Sequence, residues 1–264
     1  MCITPNSEHF EERARICSNE QVGPGLFKMV LHCPRSAAAI KPGQFIHMRL
    51  DGFEAHILRR PFSVYKADTQ EGTMDIIYQV VGTGSQWMTG LEPGHTVSIM
   101  AALGNTWQPV DGKLLLVCGG VGAAPLFMFA QQLKAEGRDF EVILGARTAD
   151  MLVTKADYTA LLGREPIIAT DDGTEGFSGF ATVPMQQQLE TGEYSAVYCC
   201  GPDPFMRIVS GIVADAGIDC WISEEKRMAC GIGACLSCVV ETVDGKKRSC
   251  VDGPVFNAKD VVWA

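Results

Sequence analysis

Four cysteines toward the end of the chain have the type and spacing of a redox centre. Cys230, Cys235, Cys238 and Cys250 stand in the order C-x4-C-x2-C-x11-C. Thiolates at this spacing fit the plant-type ligand set of a [2Fe–2S] cluster, which moves single electrons. Gly231 and Gly233 fall in the first gap. Glycine there lets the backbone curl so that its N–H groups point at sulfur. Structural zinc is the competing chemistry. Zinc sites usually pair their cysteines as two C-x2-C units, and this run contains one. Cys2, Cys17, Cys33, Cys118, Cys199 and Cys220 are scattered, and read as small buried hydrophobes.

A one-electron carrier needs a source or sink of electrons elsewhere in the chain. Three stretches carry residues suited to one. Val117-Cys-Gly-Gly-Val-Gly-Ala-Ala-Pro125 places glycines after an apolar run and before a helical one, in the order G-x-G-x-x-P from Gly120. Gly120, Gly122 and Ala123 would let a pyrophosphate approach the backbone at a helix N-terminus. The same residues also suit a tight turn with no ligand. Cys199-Cys200-Gly201-Pro202-Asp203 follows a later apolar run. Cys200, Gly201 and Pro202 would then lie at the ligand-binding edge of an open sheet, or form an ordinary turn with a buried cysteine. In Leu58-Arg-Arg-Pro-Phe-Ser-Val64, a guanidinium can clamp a phosphate. Phe62 can lie on a flat heterocycle, and the Ser63 hydroxyl can bond a ring nitrogen. The alternative is an exposed basic pair beside a core aromatic. His9, His32, His47, His56 and His95 are scattered, and no two have metal-ligand spacing.

The elements that position these residues follow from the hydrophobic pattern. In the first hundred or so residues, short apolar runs recur at 26–31, 45–50, 62–65, 74–81 and 96–100, separated by Gly and Pro turns. That rhythm predicts an antiparallel β-barrel or sandwich, with one short helix over 84–89. From Lys113 the pattern changes. Strands at 114–118, 141–144, 166–169 and 196–199 alternate with helices at 124–136, 155–162, 181–190 and 204–216, as in a parallel α/β sheet. Pro109 and Gly112 mark a linker near 106–112. From Glu224 onward the chain is rich in Cys and Gly and has little helical period. The fold class is thus β plus α/β, with residues 1–108, 109–223 and 224–264 as barrel, α/β domain and small C-terminal lobe.

The chain has 264 residues, 47% of them hydrophobic, and a net charge of −9. The acidic balance argues against nucleic acid or an anionic membrane surface as partner. No apolar run approaches the roughly 18 residues of a membrane span. The N-terminus lacks the basic-then-apolar order of a signal peptide, and eleven cysteines in a chain this long point to a cytoplasmic metal or redox protein.

Taken together, the motifs resemble the ferredoxin–NADP reductase superfamily. Arg60-Pro61-Phe62-Ser63 matches its flavin signature R-x-[YF]-[ST]. Gly120 to Pro125 matches its nucleotide turn, and Cys200-Gly201-Pro202 its late C-G-P turn. The C-terminal run Glu225-Lys-Arg-Met-Ala-Cys-Gly-Ile-Gly-Ala-Cys-Leu-Ser-Cys238, with Cys250-Val-Asp-Gly-Pro-Val-Phe256, narrows the likeness. It is similar to the electron-transfer subunit of type B dihydroorotate dehydrogenase. Position 62 is Phe where many superfamily members have Tyr, so ring stacking is kept and a phenol hydrogen bond is lost. In the related subunits of flavin-based transhydrogenases and sulfide dehydrogenases the first cysteine ligand is often replaced, whereas here Cys230 is present.

The resemblance implies FAD on the barrel, NAD as diffusible substrate of the α/β domain, and a [2Fe–2S] cluster on Cys230, Cys235, Cys238 and Cys250. It further implies flavin contacts at Ile77, Tyr78 and Gln79, and at Gly84 and Ser85, where the short helix begins. It also implies a separate FMN-containing catalytic subunit in pyrimidine biosynthesis, in a heterotetramer with two copies of each chain. Orotate chemistry would lie on that partner, and no catalytic acid or base is assigned here. Asp171-Asp172-Gly173 would touch a nicotinamide ribose or serve as a loop cap. Arg147 stands where a 2′-phosphate would be read, but the likeness favours NAD. The alternatives are a stand-alone NAD(P)H oxidoreductase that reduces a diffusible acceptor, or a subunit of a sulfide dehydrogenase or transhydrogenase.

Overall fold

The computed structural model describes residues 9–53 and 57–263. To residue 103 the chain runs β1 (Phe10–Gly23), β2 (Leu26–His32), α1 (Pro34–Ala39), β3 (Phe45–Arg49), β4 (Arg60–Ser63), β5 (Lys66–Asp68), β6 (Thr73–Gln79), α2 (Thr83–Met88) and β7 (Thr96–Leu103). The strands form one antiparallel sheet in the order β4-β3-β7-β1-β2-β6-β5. The sheet closes where β4 turns into β5. The Val64 N–H reaches the Gln44 carbonyl beside β3, and the next N–H, that of Tyr65, reaches Asp75 on β6. Alternate residues fill the interior, among them Ala14, Ile16, Met29, Leu31, Ile46, Met48 and Ile76.

The longest strand, β1, is absent from the apolar runs of the sequence. It buries only Ala14 and Ile16, and its register slips between Ile16 and Ser18 and between Gln21 and Gly23. Bulges break the period-2 alternation that would reveal a strand.

The second unit runs β8 (Lys113–Gly119), α3 (Ala123–Ala135), β9 (Phe140–Ala146), α4 (Lys155–Leu162), β10 (Ile167–Thr170), β11 (Phe177–Ser178), α5 (Thr182–Leu189), β12 (Tyr194–Cys200), α6 (Asp203–Asp215) and β13 (Asp219–Ser223). Leu114 to Cys118 are fully buried, as expected of a central parallel strand covered on both faces. The strand order β11-β10-β9-β8-β12-β13 reverses direction between β8 and β12. Ligands bind at such a switch point in an open α/β sheet.

The remaining chain holds a hairpin, β14 (Val239–Thr242) with β15 (Gly245–Arg248), and a last strand, β16 (Val255–Asn257). This C-terminal segment does not close on itself. β16 pairs antiparallel with β13 and extends the α/β sheet. Cys238 and Cys250 pack with Met228 and with Phe45 and Leu103 of the barrel. Asn105, in the connection after β7, binds the same segment. Its side chain donates to the Asp252 and Val255 carbonyls at 3.0 and 2.8 Å and accepts from the Val255 N–H at 2.9 Å. Barrel and α/β sheet also meet directly. Tyr65 donates to Asp157, and Lys66 pairs with the same carboxylate at 2.7 Å. Trp107 Nε1 donates to the Pro125 carbonyl at 3.1 Å.

Candidate functional site

At the switch point the two Gly-rich turns touch. Gly120 has φ +56°, and a Cβ there would meet nothing within 4 Å. The backbone faces an open crevice in a conformation glycine adopts freely. Gly122 is the opposite case: a Cβ would fall 2.3 Å from the Cys200 carbonyl oxygen. Gly201 in turn approaches the Gly119 backbone, 3.1 Å from a Cβ placed on it. Glycine at these positions is what lets β8 and β12 end side by side, with Cys118 opposite Cys200. Ala123 opens α3, and the Tyr158 hydroxyl donates to its carbonyl at 2.8 Å. Sequence reasoning missed that support, because Tyr158 lies on α4, distant in the chain. Burial raises the Cys200 thiol to about 12, which keeps it protonated. Pro202 is exposed at the start of α6.

On the barrel, β4 separates the two arginines. Arg59 is a structural tie: it donates to the His47 carbonyl at 3.2 Å and to the Ser98 carbonyl at 3.0 Å, and pairs with Glu11 at 3.0 Å. Arg60 turns toward α2. A Cβ at Gly84 would lie 2.9 Å from its Nε, and its guanidinium carbon stands 5.9 Å from the Phe53 ring centre. Partial burial lowers its pKa, as expected of a cation held among protein atoms. Ser85 accepts from the Val81 and Gly82 N–H groups at 2.9 and 3.1 Å, so its hydroxyl shapes the turn into α2. Pro61, Phe62 and Ser63 continue β4, half-buried. Phe62 meets Tyr78 edge-on at 6.1 Å, and the Tyr78 hydroxyl donates to Asn19 at 2.9 Å. Ile77 is buried with Ala123 and Ala124 in the core shared with the α/β unit. Gln79 is exposed at the end of β6.

The cysteine loop crosses the junction. Gly231, Gly233 and Leu236 have φ of 72°, 80° and 57°, and these left-handed residues turn backbone N–H groups inward. The N–H of Ser237 and those of Cys230 and Ala229 act on Cys235 and lower its thiol to about 7. The Gly233 N–H acts on Cys250, although burial and the neighbouring Cys238 raise that thiol to about 12. The side chains thus stand as two pairs, Cys230 beside Cys235 and Cys238 beside Cys250. Two cysteine pairs with N–H donors beside them match, in residue type and pairing, the donor set of a [2Fe–2S] cluster, in which each iron takes two cysteine ligands. Arg248 braces the loop, donating to the Gly233 carbonyl at 3.1 Å and to Asp252 at 3.1 Å.

A small cavity joins the units. Pro61 and Ser63 line it from β4, Ser223 from the end of β13, and Glu225, Met228 and Ser249 from the C-terminal segment. Glu225 stands in the cleft where solvent reaches it, but surrounding protein raises its pKa. The sequence offered no signal for Glu225 or Ser249 as lining residues, because only the folded chain brings them to β4. His47, one of the scattered histidines, is buried next to this junction, and burial lowers its pKa to about 4. Asp172 accepts from the Thr174 N–H and hydroxyl at 3.0 and 2.7 Å and is a loop cap. Arg147 is exposed nearby. Cys33, Cys118, Cys199 and Cys220 are buried and free, as small hydrophobes. Cys17 is free and half-buried, and Cys2 lies outside the described residues.

Comparison with known proteins agrees with this geometry. Residues 11–107 match the oxidoreductase FAD-binding domain, and 116–211 the oxidoreductase NAD-binding domain. Residues 225–262 match the iron–sulfur cluster binding domain of dihydroorotate dehydrogenase B. The dihydroorotate dehydrogenase B (NAD(+)) electron transfer subunit of Desulforamulus reducens is 34% identical over 95% of this chain and 97% of its own. The chain belongs to this family of dihydroorotate dehydrogenase B electron transfer subunits. The family member of Caldanaerobacter subterraneus subsp. tengcongensis is 36% identical over 95% of this chain and 98% of its own. Among solved structures, an NADH-dependent reduced ferredoxin-NADP oxidoreductase studied for flavin-based electron bifurcation superimposes with a TM-score of 0.87. It is 28% identical, and the match covers 95% of this chain and 90% of that one. As in the family, the chain is an oxidoreductase with FAD-binding, NAD-binding and iron–sulfur-binding parts. Among the described residues no helix is long and apolar enough to cross a membrane.

Proposed function

We propose that this chain passes electrons between NAD(H) and the FMN of a separate dihydroorotate dehydrogenase catalytic subunit, by way of FAD and a [2Fe–2S] cluster. The observation that carries the reading is convergence. The Arg60–Ser63 strand and the segment carrying the cysteine loop share one cavity with Ser223 of β13, and the Ser223 side chain hydrogen-bonds the Cys200 thiol of the switch-point turn. FAD held here would supply the change from a two-electron hydride to single electrons, and a cluster on the four cysteines would supply one-electron transfer.

The residues divide the work. Arg60, with Gly84 and Ser85 at the start of α2, holds the FAD pyrophosphate. Pro61, Phe62 and Ser63 support the flavin ring, and Ile77, Tyr78 and Gln79 bound it along β6. Gly120, Gly122 and Ala123 receive the NAD pyrophosphate on the backbone, while Cys200, Gly201 and Pro202 shape the nicotinamide end. Cys200 stays a neutral thiol there, so it adds shape rather than charge. Cys230, Cys235, Cys238 and Cys250 hold the cluster. Ile232, Leu236 and Val251 are exposed around that loop, and this apolar rim is where the catalytic subunit docks. The free thiols fit a reducing compartment, the cytoplasm.

Co-purification tests the reading. The chain is expected to elute with an FMN protein as a heterotetramer with two copies of each. A chain that purifies alone and turns over NADH with a small diffusible acceptor at full rate would instead be a stand-alone reductase.

A further inference from the structure

His47 lies on β3 between the flavin strand and the cluster loop. It pairs with Pro61 of β4. Its side chain is fully buried, and among the described residues neither Nδ1 nor Nε2 has a hydrogen-bond partner. The ring lies on Gly231, where a Cβ would stand 2.5 Å from Nδ1. The backbone carbonyls of Arg59 and Cys230 also face the ring, but outside bonding geometry. Buried polar atoms are almost always paired, and an apolar side chain would fill this space without leaving nitrogens unpaired. An imidazole sealed against the residue that follows the first cysteine ligand therefore points to a polar role toward the loop.

We infer that His47 is a positioning residue for flavin-to-cluster transfer. Its ring N–H is directed at the Cys230 end of the loop and fixes that loop against the strand carrying Arg60 to Ser63. Hydrogen bonds around cluster sulfurs tune the cluster's potential, so the ring also sets the ease with which an electron enters. This inference rests on the proposed FAD and cluster sites.

The test compares His47→Asn and His47→Leu, two side chains with the same branched arrangement of heavy atoms, of which only Asn supplies a donor near the position of Nδ1. Each full-length variant is reconstituted without oxygen. FAD and iron contents, the EPR line shape of the reduced cluster and its midpoint potential are then measured. The Leu variant is expected to keep wild-type FAD but show an altered line shape and a more negative potential, or to lose iron, while Asn returns these toward wild type. A Leu variant that fails to fold where Asn folds supports the same role. Two variants that both match the wild-type cluster overturn it. So do two that are altered alike, a shared failure to fold included, because ring shape would then be the requirement. A wild-type chain that takes up no FAD or iron would refute the proposed function instead.

Discussion

Gly122 and Cys200 approach so closely that a methyl group on Gly122 would stand 2.3 Å from the Cys200 carbonyl oxygen. The obstacle is backbone, which cannot swing away as a flexible side chain would. Gly122→Ala must therefore push α3 and the Cys200 turn apart, at about 1–3 kcal/mol of strain. NADH-driven flavin reduction should lose roughly 5- to 150-fold in kcat/KM, since about 1.4 kcal/mol is a factor of ten. FAD and iron contents should stay at wild-type levels. An unchanged kcat/KM would remove the nucleotide from this turn.

The two neighbouring arginines should separate by phenotype. Arg60→Ala removes charged hydrogen bonds to a phosphate, worth about 1.5–3 kcal/mol, and should weaken FAD retention roughly 10- to 150-fold. Arg59→Ala leaves the Ser98 and His47 carbonyls without their donor. It should lower unfolding stability by about 1–3 kcal/mol with smaller change in FAD affinity. Flavin titration and urea unfolding of both variants distinguish the roles, and a reversed pattern would exchange them.

Motifs that act locally could be read from the sequence alone. The four cysteines, the Gly120–Pro125 turn and Arg60–Ser63 each gather the residue types for their proposed chemistry in one short stretch of chain. The buried run of β8 and the helical period of α3 identified the α/β unit for the same reason. β1 escaped because bulges interrupt its alternation, and β13 and β16 because short strands at a sheet edge carry little pattern. His47 and Glu225 were not recognisable as site residues. Their meaning comes from neighbours distant in the chain, Gly231 against the His47 ring and Ser63 lining the same cavity as Glu225, which no local spacing encodes.

The clamp between barrel and α/β unit should depend on acid. Burial acts to raise the pKa of Asp157, but the hydrogen bonds from Lys66 and Tyr65 outweigh it and hold the carboxyl below its usual range. A carboxyl depressed on folding adds stability above its unfolded value, near 3.9, and loses it as pH falls through the folded value. Because the pair is partly exposed, the contribution is at most about 1 kcal/mol. Urea unfolding of wild type and Asp157→Asn should differ by that amount at neutral pH and converge below about pH 4. A gap that persists in acid would assign the clamp to packing.

Cys235→Ser should separate the two halves of the electron path. The variant should lose the cluster's visible absorption and all turnover linked to the catalytic subunit, yet keep FAD and its bleaching by NADH. Orotate-linked turnover that survived this substitution would place the exit elsewhere.

The most direct test of the account is an anaerobic titration of the reconstituted chain with NADH, followed by visible absorption and EPR together. It predicts that the yellow flavin band bleaches and that a reduced [2Fe–2S] signal then grows in the same molecules. A preparation that holds neither flavin nor iron, or a flavin that bleaches while the cluster stays oxidised, would contradict it.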